Sequence, residues 1–208
     1  MRKTLRHLTV GVIVTLGTGV GRTASADQPE PLTIAVWVRD TAQVPDDVLT
    51  GARTEVTRIF RQAGVETVWL SPASASANTD ASREPRLTIA IVTYDQAERL
   101  HPALTRAGVG VGFAMSSSPT TRTQVAYVFY HRVKSLTGAN GVRLAPVLGA
   151  AMAHEIGHLL LDSAHSETGL MRADWTKEDL QRIQWSELFF TAEQGALIRS
   201  RTAGSRQR

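Results

Sequence analysis

The chain has 208 residues, 42% of them hydrophobic, which is enough for one globular domain with a sizeable core and too few for two of ordinary size. It contains no cysteine, which excludes a disulfide framework and a lipid anchor on an N-terminal cysteine. The net charge of +4 belongs to the start of the chain: Arg2, Lys3, Arg6 and Arg22 are the only charged residues before Asp27, and without them 19 basic residues face 19 acidic ones, so nucleic-acid and anionic-membrane binding lose their main support.

Residues 1–26 read as an export signal: the basic start is followed by the mostly apolar Leu8 to Val20 and by the small-residue cleavage site Ala24-Ser25-Ala26. A mature chain beginning at Asp27 is expected, secreted or periplasmic, with no stable membrane association and monomeric. Leu32 to Val38, "LTIAVWV", alternates and carries β-branched residues, so it predicts a strand. From Pro45 the spacing becomes helical, with Val48, Leu49, Ala52, Val56, Ile59 and Phe60 in one stripe that ends near Gly64. Val65 to Leu70 reads as a second strand, and Ser71 to Pro85, small, polar and proline-bounded, as a surface loop within the domain.

Leu87 to Tyr94 predicts a third strand. Gly108, Gly110 and Gly112 follow, but no helix pattern comes after them as a phosphate-binding loop requires, so Ala107 to Met115 is read as a loop or irregular strand bordering a cleft. Gln124 to Val133, "QVAYVFYHRV", predicts a strand, and Gly138, Asn140 and Gly141 a turn. A helix is expected from about Arg143 to Leu161, with Pro146 in its first turn. Lys177 to Leu188, and a segment opened by Thr191 with Gln194 as its capping partner, predict two short helices. The basic end (Arg199, Arg201, Arg206, Arg208) reads as a solvated, frayed tail. The order is β-α-β-β-β-α followed by a small helical end.

The chemistry concentrates in "AHEIGHLLLDSAHSETGLM", residues 153–171, which holds three of the six histidines. Residues four apart on a helix lie about 40° apart around its axis, so His154 and His158 project from one face and can bind one ion. Glu155 is then placed to reach water activated by the metal without binding the metal itself, the general-base position of H-E-x-x-H enzymes. His165 supplies a third imidazole, and three protein ligands with one open position suit a catalytic zinc. Asp162 and Glu167 are the alternative third ligands, because carboxylates also complete such sites. His131 is isolated and reads as structural or exposed, and His101, before Pro102, is expected in a loop.

This stretch resembles the metzincin clan of zinc endopeptidases, whose signature H-E-x-x-H-x-x-G-x-x-H is followed by a methionine-containing turn; the chain has the look of a divergent, secreted, bacterial-type member. His154, Glu155, His158 and His165 match its ligand and base positions in order. Ser166 follows the third histidine as in the matrix-metalloprotease branch, and Gly169-Leu170-Met171 looks like the Met-turn, with a structural role for Met171. Two departures stand out: Leu161 occupies the position of the usual glycine, and His165 lies eleven residues after His154 instead of ten. Asp162-Ser163 is expected to make the turn one residue later, since Asp tolerates left-handed geometry better than Leu.

The resemblance implies an α+β zincin-like domain: a mixed twisted sheet with a backing helix and an active-site helix, an N-terminal subdomain over about 32–161, and a small helical C-terminal subdomain over about 162–203. It also implies one catalytic zinc ion, a peptide or protein substrate hydrolysed with Glu155 as general base, and an edge strand that takes the substrate backbone; if Gln124 to Val133 is that strand, Tyr127 or Tyr130 would line the cleft, although core packing is the expected job of both. Some members add a tyrosine after the Met-turn as an oxyanion stabiliser. The tyrosines of this chain, Tyr94, Tyr127 and Tyr130, all precede that turn. The competing readings are a secreted zinc-binding interaction domain without catalysis and, against Glu155 and the export signal, a metal-dependent endoribonuclease.

Overall fold

A computed structural model describes residues 31–71, 86–100, 102, 110–116, 124–161 and 165–206. The export segment, most of the loop expected at Ser71 to Pro85, and His101, Gly108 and Asp162 lie outside the described residues.

The N-terminal half follows the periodicity closely. Strand β1 (Thr33–Asp40) leads into helix α1 (Asp46–Gln62) and strand β2 (Glu66–Leu70). The predicted stripe faces inward, with Ala52, Val56, Ile59 and Phe60 buried, and the chain leaves α1 through Gly64 at φ +81°, a left-handed conformation that glycine adopts without a Cβ penalty.

Strand β3 (Arg86–Val92) is shorter than the expected Leu87 to Tyr94, because Tyr94 opens a helix, α2 (Tyr94–Leu100). The cause is local: the Thr93 amide donates to Gln96 Oε1 at 3.0 Å and the Gln96 amide to Thr93 Oγ1 at 3.4 Å, a reciprocal cap that turns the chain out of the sheet. Strand β4 (Gly112–Ser116) gives form to the glycine-containing stretch read as a loop or irregular strand.

Strand β5 (Gln124–Phe129) also ends early. Tyr130 starts helix α3 (Tyr130–Asn140), so the expected strand to Val133 is corrected at its last four residues, and His131 is helical. Tyr130, Val133 and Thr137 are buried at spacings of three and four, and this packing overrides the β-preference of the tyrosines and valine. Of the expected turn residues, Gly138 and Asn140 are helical, and Gly141 alone makes the left-handed C-cap at φ +64°.

The five strands form one mixed sheet in the order β2-β1-β3-β5-β4, parallel except for β4, which runs antiparallel to β5. Among the described strands the edge beside β5 is therefore β4, and the edge-strand role expected of Gln124 to Val133 does not hold: β5 is paired on both sides, Ala126 with both Ile89 and Ala114. With six helices among the described residues, the architecture is α+β, as expected.

One sheet face, carrying Ile34, Val36, Leu87, Ile89, Ile91, Ala126 and Val128, is covered by α1 and by helix α4 (Leu144–Leu161). Gly51 and Gly149 let these two helices meet closely; a Cβ on Gly149 would stand 2.6 Å from the Ala52 carbonyl oxygen. Helix α4 is long and apolar enough by composition to cross a membrane, but 78% of it is buried inside the fold, the position of a core helix. Helices α5 (Lys177–Gln184) and α6 (Ala192–Arg206) complete the chain. Each opens with a capping box, Thr176 with Asp179 and the expected Thr191 with Gln194.

Candidate metal centre

Helix α4 carries His154 and His158 one turn apart, and both rings turn to the same side, where the chain returning after the helix presents His165. His158 Nε2 lies 3.1 Å from His154 Nε2 and 3.2 Å from His165 Nε2, and all three ligand atoms fall within 4.8 Å of one another. His154 is buried, His158 half-buried and His165 exposed, so the cluster opens toward solvent on one side.

The proton inventory makes these distances informative. His154 Nδ1 sits 2.8 Å from the Leu170 carbonyl oxygen, which can only accept, so Nδ1 carries the proton and donates it, leaving Nε2 as a lone pair. His158 Nε2 bears at most one proton and faces two other ring nitrogens. A single hydrogen can complete one contact well and leaves the other poorly matched. One cation accepts all three lone pairs, and ligands about 2.0–2.1 Å from a tetrahedral ion stand roughly 3.3 Å apart, close to the two separations from His158, while the wider group spans 4.8 Å and closes around an ion by a small shift of His165. The three histidines could therefore hold a metal ion, and the Leu170 bond is of the kind that orients an imidazole toward one.

His165 thus joins the cluster, one residue later than the family spacing. Glu167 is exposed and outside the group, and Asp162 lies outside the described residues. Met171 is fully buried beneath the helix at Gly157. A Cβ on Gly157 would stand 2.5 Å from Met171 Sδ and 2.9 Å from Phe190 Cε1. Gly157→Ala is accordingly expected to cost about 1–3 kcal/mol by overpacking, read as a lower melting temperature. An unchanged melting temperature would contradict this packing.

The return loop is held by backbone bonds. The Ser166 amide donates to the Met171 carbonyl, the Arg172 amide to the Gly169 carbonyl, and the Leu170 amide to the Phe189 carbonyl. Gly169 has φ +76°, which explains a glycine before Leu170-Met171. Trp175, which carries no signal in the sequence, donates from Nε1 to the same Leu170 carbonyl at 3.1 Å and sets its ring edge-on to His154, 5.8 Å between centroids.

Glu155 is 2% exposed, and among the described residues its Oε2 has no hydrogen-bond partner. Its carboxylate rests against Gly112 of β4, where a Cβ would come within 2.8 Å of Oε1. Gly112 thereby acquires a purpose that its glycine-rich surroundings did not disclose: it makes room for Glu155 beside the edge strand.

Burial pushes the Glu155 carboxyl up from 4.5 to about 8. It also holds the His154 imidazole down, from 6.5 to about 4, opposed by the Leu170 bond and reinforced by His158 and His165. Without metal, the carboxyl contributes stability below 4.5 that is lost as pH rises through about 8, because the folded chain keeps a proton the unfolded chain has released. His154 acts oppositely between about 4 and 6.5, so the two offset each other there and the Glu155 effect stands alone above 6.5. From pH 6.5 to 8 the chelated wild type should lose about 2 kcal/mol relative to chelated Glu155→Gln. Denaturation midpoints at the two pH values check this, and parallel curves would refute it.

Of the other histidines, His131 packs against Tyr94 and Phe129, away from the cluster. Among the described residues, Tyr127 stacks on Phe113 and Tyr130 is in the main core. No protein-family model matches the chain, and no curated protein matches it.

Proposed function

We propose that the chain is an exported zinc-dependent endopeptidase of the metzincin type, in which His154, His158 and His165 hold the ion and Glu155 is the general base. The observation that carries the reading is the convergence of three Nε2 atoms at the helix that also buries, beside an edge strand, a carboxylate whose Oε2 has no partner among the described residues. Zinc bound to three imidazoles supplies Lewis acidity, polarising a peptide carbonyl and lowering the pKa of water near it.

The protein's own groups do the rest. Glu155, desolvated and without a competing donor at Oε2, takes the proton of the attacking water and passes it to the leaving amine. Peptide hydrolysis then proceeds without a covalent enzyme intermediate. Strand β4, paired on one side with β5, offers its outer backbone edge to an extended peptide, the role the family resemblance assigns to an edge strand. Trp175 and the Leu170 carbonyl keep His154 in the tautomer that leaves Nε2 unprotonated.

The test joins zinc analysis of the purified chain with cleavage of a denatured protein by wild type and Glu155→Gln. Zinc together with Glu155-dependent cleavage supports the proposal. Zinc without cleavage would replace it by a non-catalytic metal-binding domain.

A further inference from the structure

We infer that the C-terminal helix α6 braces the His165 loop, with Arg201 and Gln194 as positioning residues that set how tightly the three histidines hold a metal. The inference rests on the metal-binding reading above and concerns groups that no part of that reading uses.

The need for a brace comes from the sequence of α4. A helix end leaves carbonyls without partners, and a glycine just beyond the end commonly supplies the turn that satisfies them. This helix runs through Leu161, a buried leucine with a poor tolerance for left-handed backbone. In its last turn the Leu160 carbonyl accepts from a residue distant in sequence: Arg201 Nη1 donates to it at 2.8 Å. A guanidinium at a helix C-terminus also complements the helix dipole.

The far flank of the loop is held by the same helix. Gln194 Nε2 donates to Ser166 Oγ at 3.2 Å, directly after His165, and Ser166 Oγ donates onward to the Thr168 carbonyl at 2.8 Å. Gln194 and Arg201 are seven residues apart, two helical turns, so they lie within about 20° of each other on one face of α6. One face of one helix thus grips the chain just before and just after the only ligand that α4 does not carry.

Helix α6 is itself anchored through its core-facing side, independently of Arg199. Ile198 is buried in the main core, and Arg199, about 200° around the helix from Arg201, donates from Nη1 to the Ala63 carbonyl at 2.8 Å at the end of α1. The basic end read as a frayed tail is corrected at these two residues, each of which caps a different helix. Arg199 provides a built-in control, with the same kind of bond from the same helix made away from the histidines.

The experiment compares full-length mature wild type with Arg201→Ala, Arg201→Lys, Gln194→Ala and Arg199→Ala. Zinc affinity is measured by competition with a chromophoric chelator, coordination by the visible spectrum of bound Co2+, and stability by thermal melting. Arg201→Ala and Gln194→Ala should each weaken zinc binding about tenfold or more and change the Co2+ spectrum, the usual scale for an outer support of a metal ligand. Arg201→Lys should recover part of the loss. Arg199→Ala should lower the melting temperature while keeping zinc affinity within about twofold of wild type, since its cap lies away from the metal ligands. Wild-type affinity and spectrum in both Arg201→Ala and Gln194→Ala would overturn the brace. Should Arg201→Ala fail to fold, Gln194→Ala decides, because it removes only the bonds to Ser166 and to the Thr191 amide at the helix start. A wild type that binds neither Zn2+ nor Co2+ removes the metal reading and this inference together.

Discussion

Glu155→Gln is expected to keep zinc bound at wild-type stoichiometry while lowering kcat/KM for peptide hydrolysis about 10²–10⁴-fold, the usual contribution of a positioned general base. The two side chains have nearly the same shape, so the close packing against Gly112 survives and the histidines are not disturbed. The amide cannot accept the proton of an attacking water. It also places no charge in a site where burial alone drives the carboxyl up to about 8. On the proposed reading, a bound zinc ion would favour the carboxylate and oppose that shift. Steady-state cleavage of a quenched peptide, with zinc content measured on the same samples, provides the check. A Glu155→Gln protein that cleaves at the wild-type rate would end the assignment of the base.

His165→Ala is expected to weaken zinc binding about 10²–10³-fold. Four-ligand structural zinc sites are worth about 10–16 kcal/mol, or roughly 2.5–4 kcal/mol for each ligand. Glu167→Ala should change affinity less than about twofold, because that carboxylate is exposed and stands apart from the cluster. Stability gives a second readout. Zinc at a thousand times its Kd should raise the unfolding free energy of wild type by about 4 kcal/mol, and His165→Ala should lack most of that gain at the same zinc concentration. If Asp162→Ala or Glu167→Ala proved the more damaging change, the third ligand would be a carboxylate, and the contact of 3.2 Å between His158 and His165 would have another purpose.

Much of this site is legible in the amino-acid sequence. His154 and His158 have to share a face of α4, since a separation of four is close to one helical turn, and Glu155 has to lie beside them. The order of residues through Met171 places a floor beneath the helix, and Met171 is found there, fully buried under Gly157. Thr191 with Gln194 foretells a helix start because a capping box involves only neighbours in sequence. The same signal stands at Thr93 and Gln96, but there it adjoins a β-branched run that reads as strand through Tyr94, and helix α2 goes unpredicted.

Other features have no local signature. Nothing in "QVAYVFYHRV" indicates that β5 lies inside the sheet or that β4 is the edge, because strand order is settled by pairing between residues far apart in the chain. Gly112 looks like any loop glycine until Glu155 is placed against it, and Trp175 like any aromatic until its indole reaches the Leu170 carbonyl. Arg201 looks like part of a solvated tail, and only the packing of α6 carries it to the end of α4, 41 residues earlier in the chain.

The sequence by itself therefore determined the helix that carries His154, Glu155 and His158, and the residues able to follow it, because helical periodicity and capping act over one or two turns. Tertiary structure alone decided that His165 meets the other two histidines, that β4 borders Glu155, and that α6 holds both flanks of the loop. Each of these depends on contacts closed across long stretches of chain, whose cost in conformational entropy is offset only when the whole core forms together.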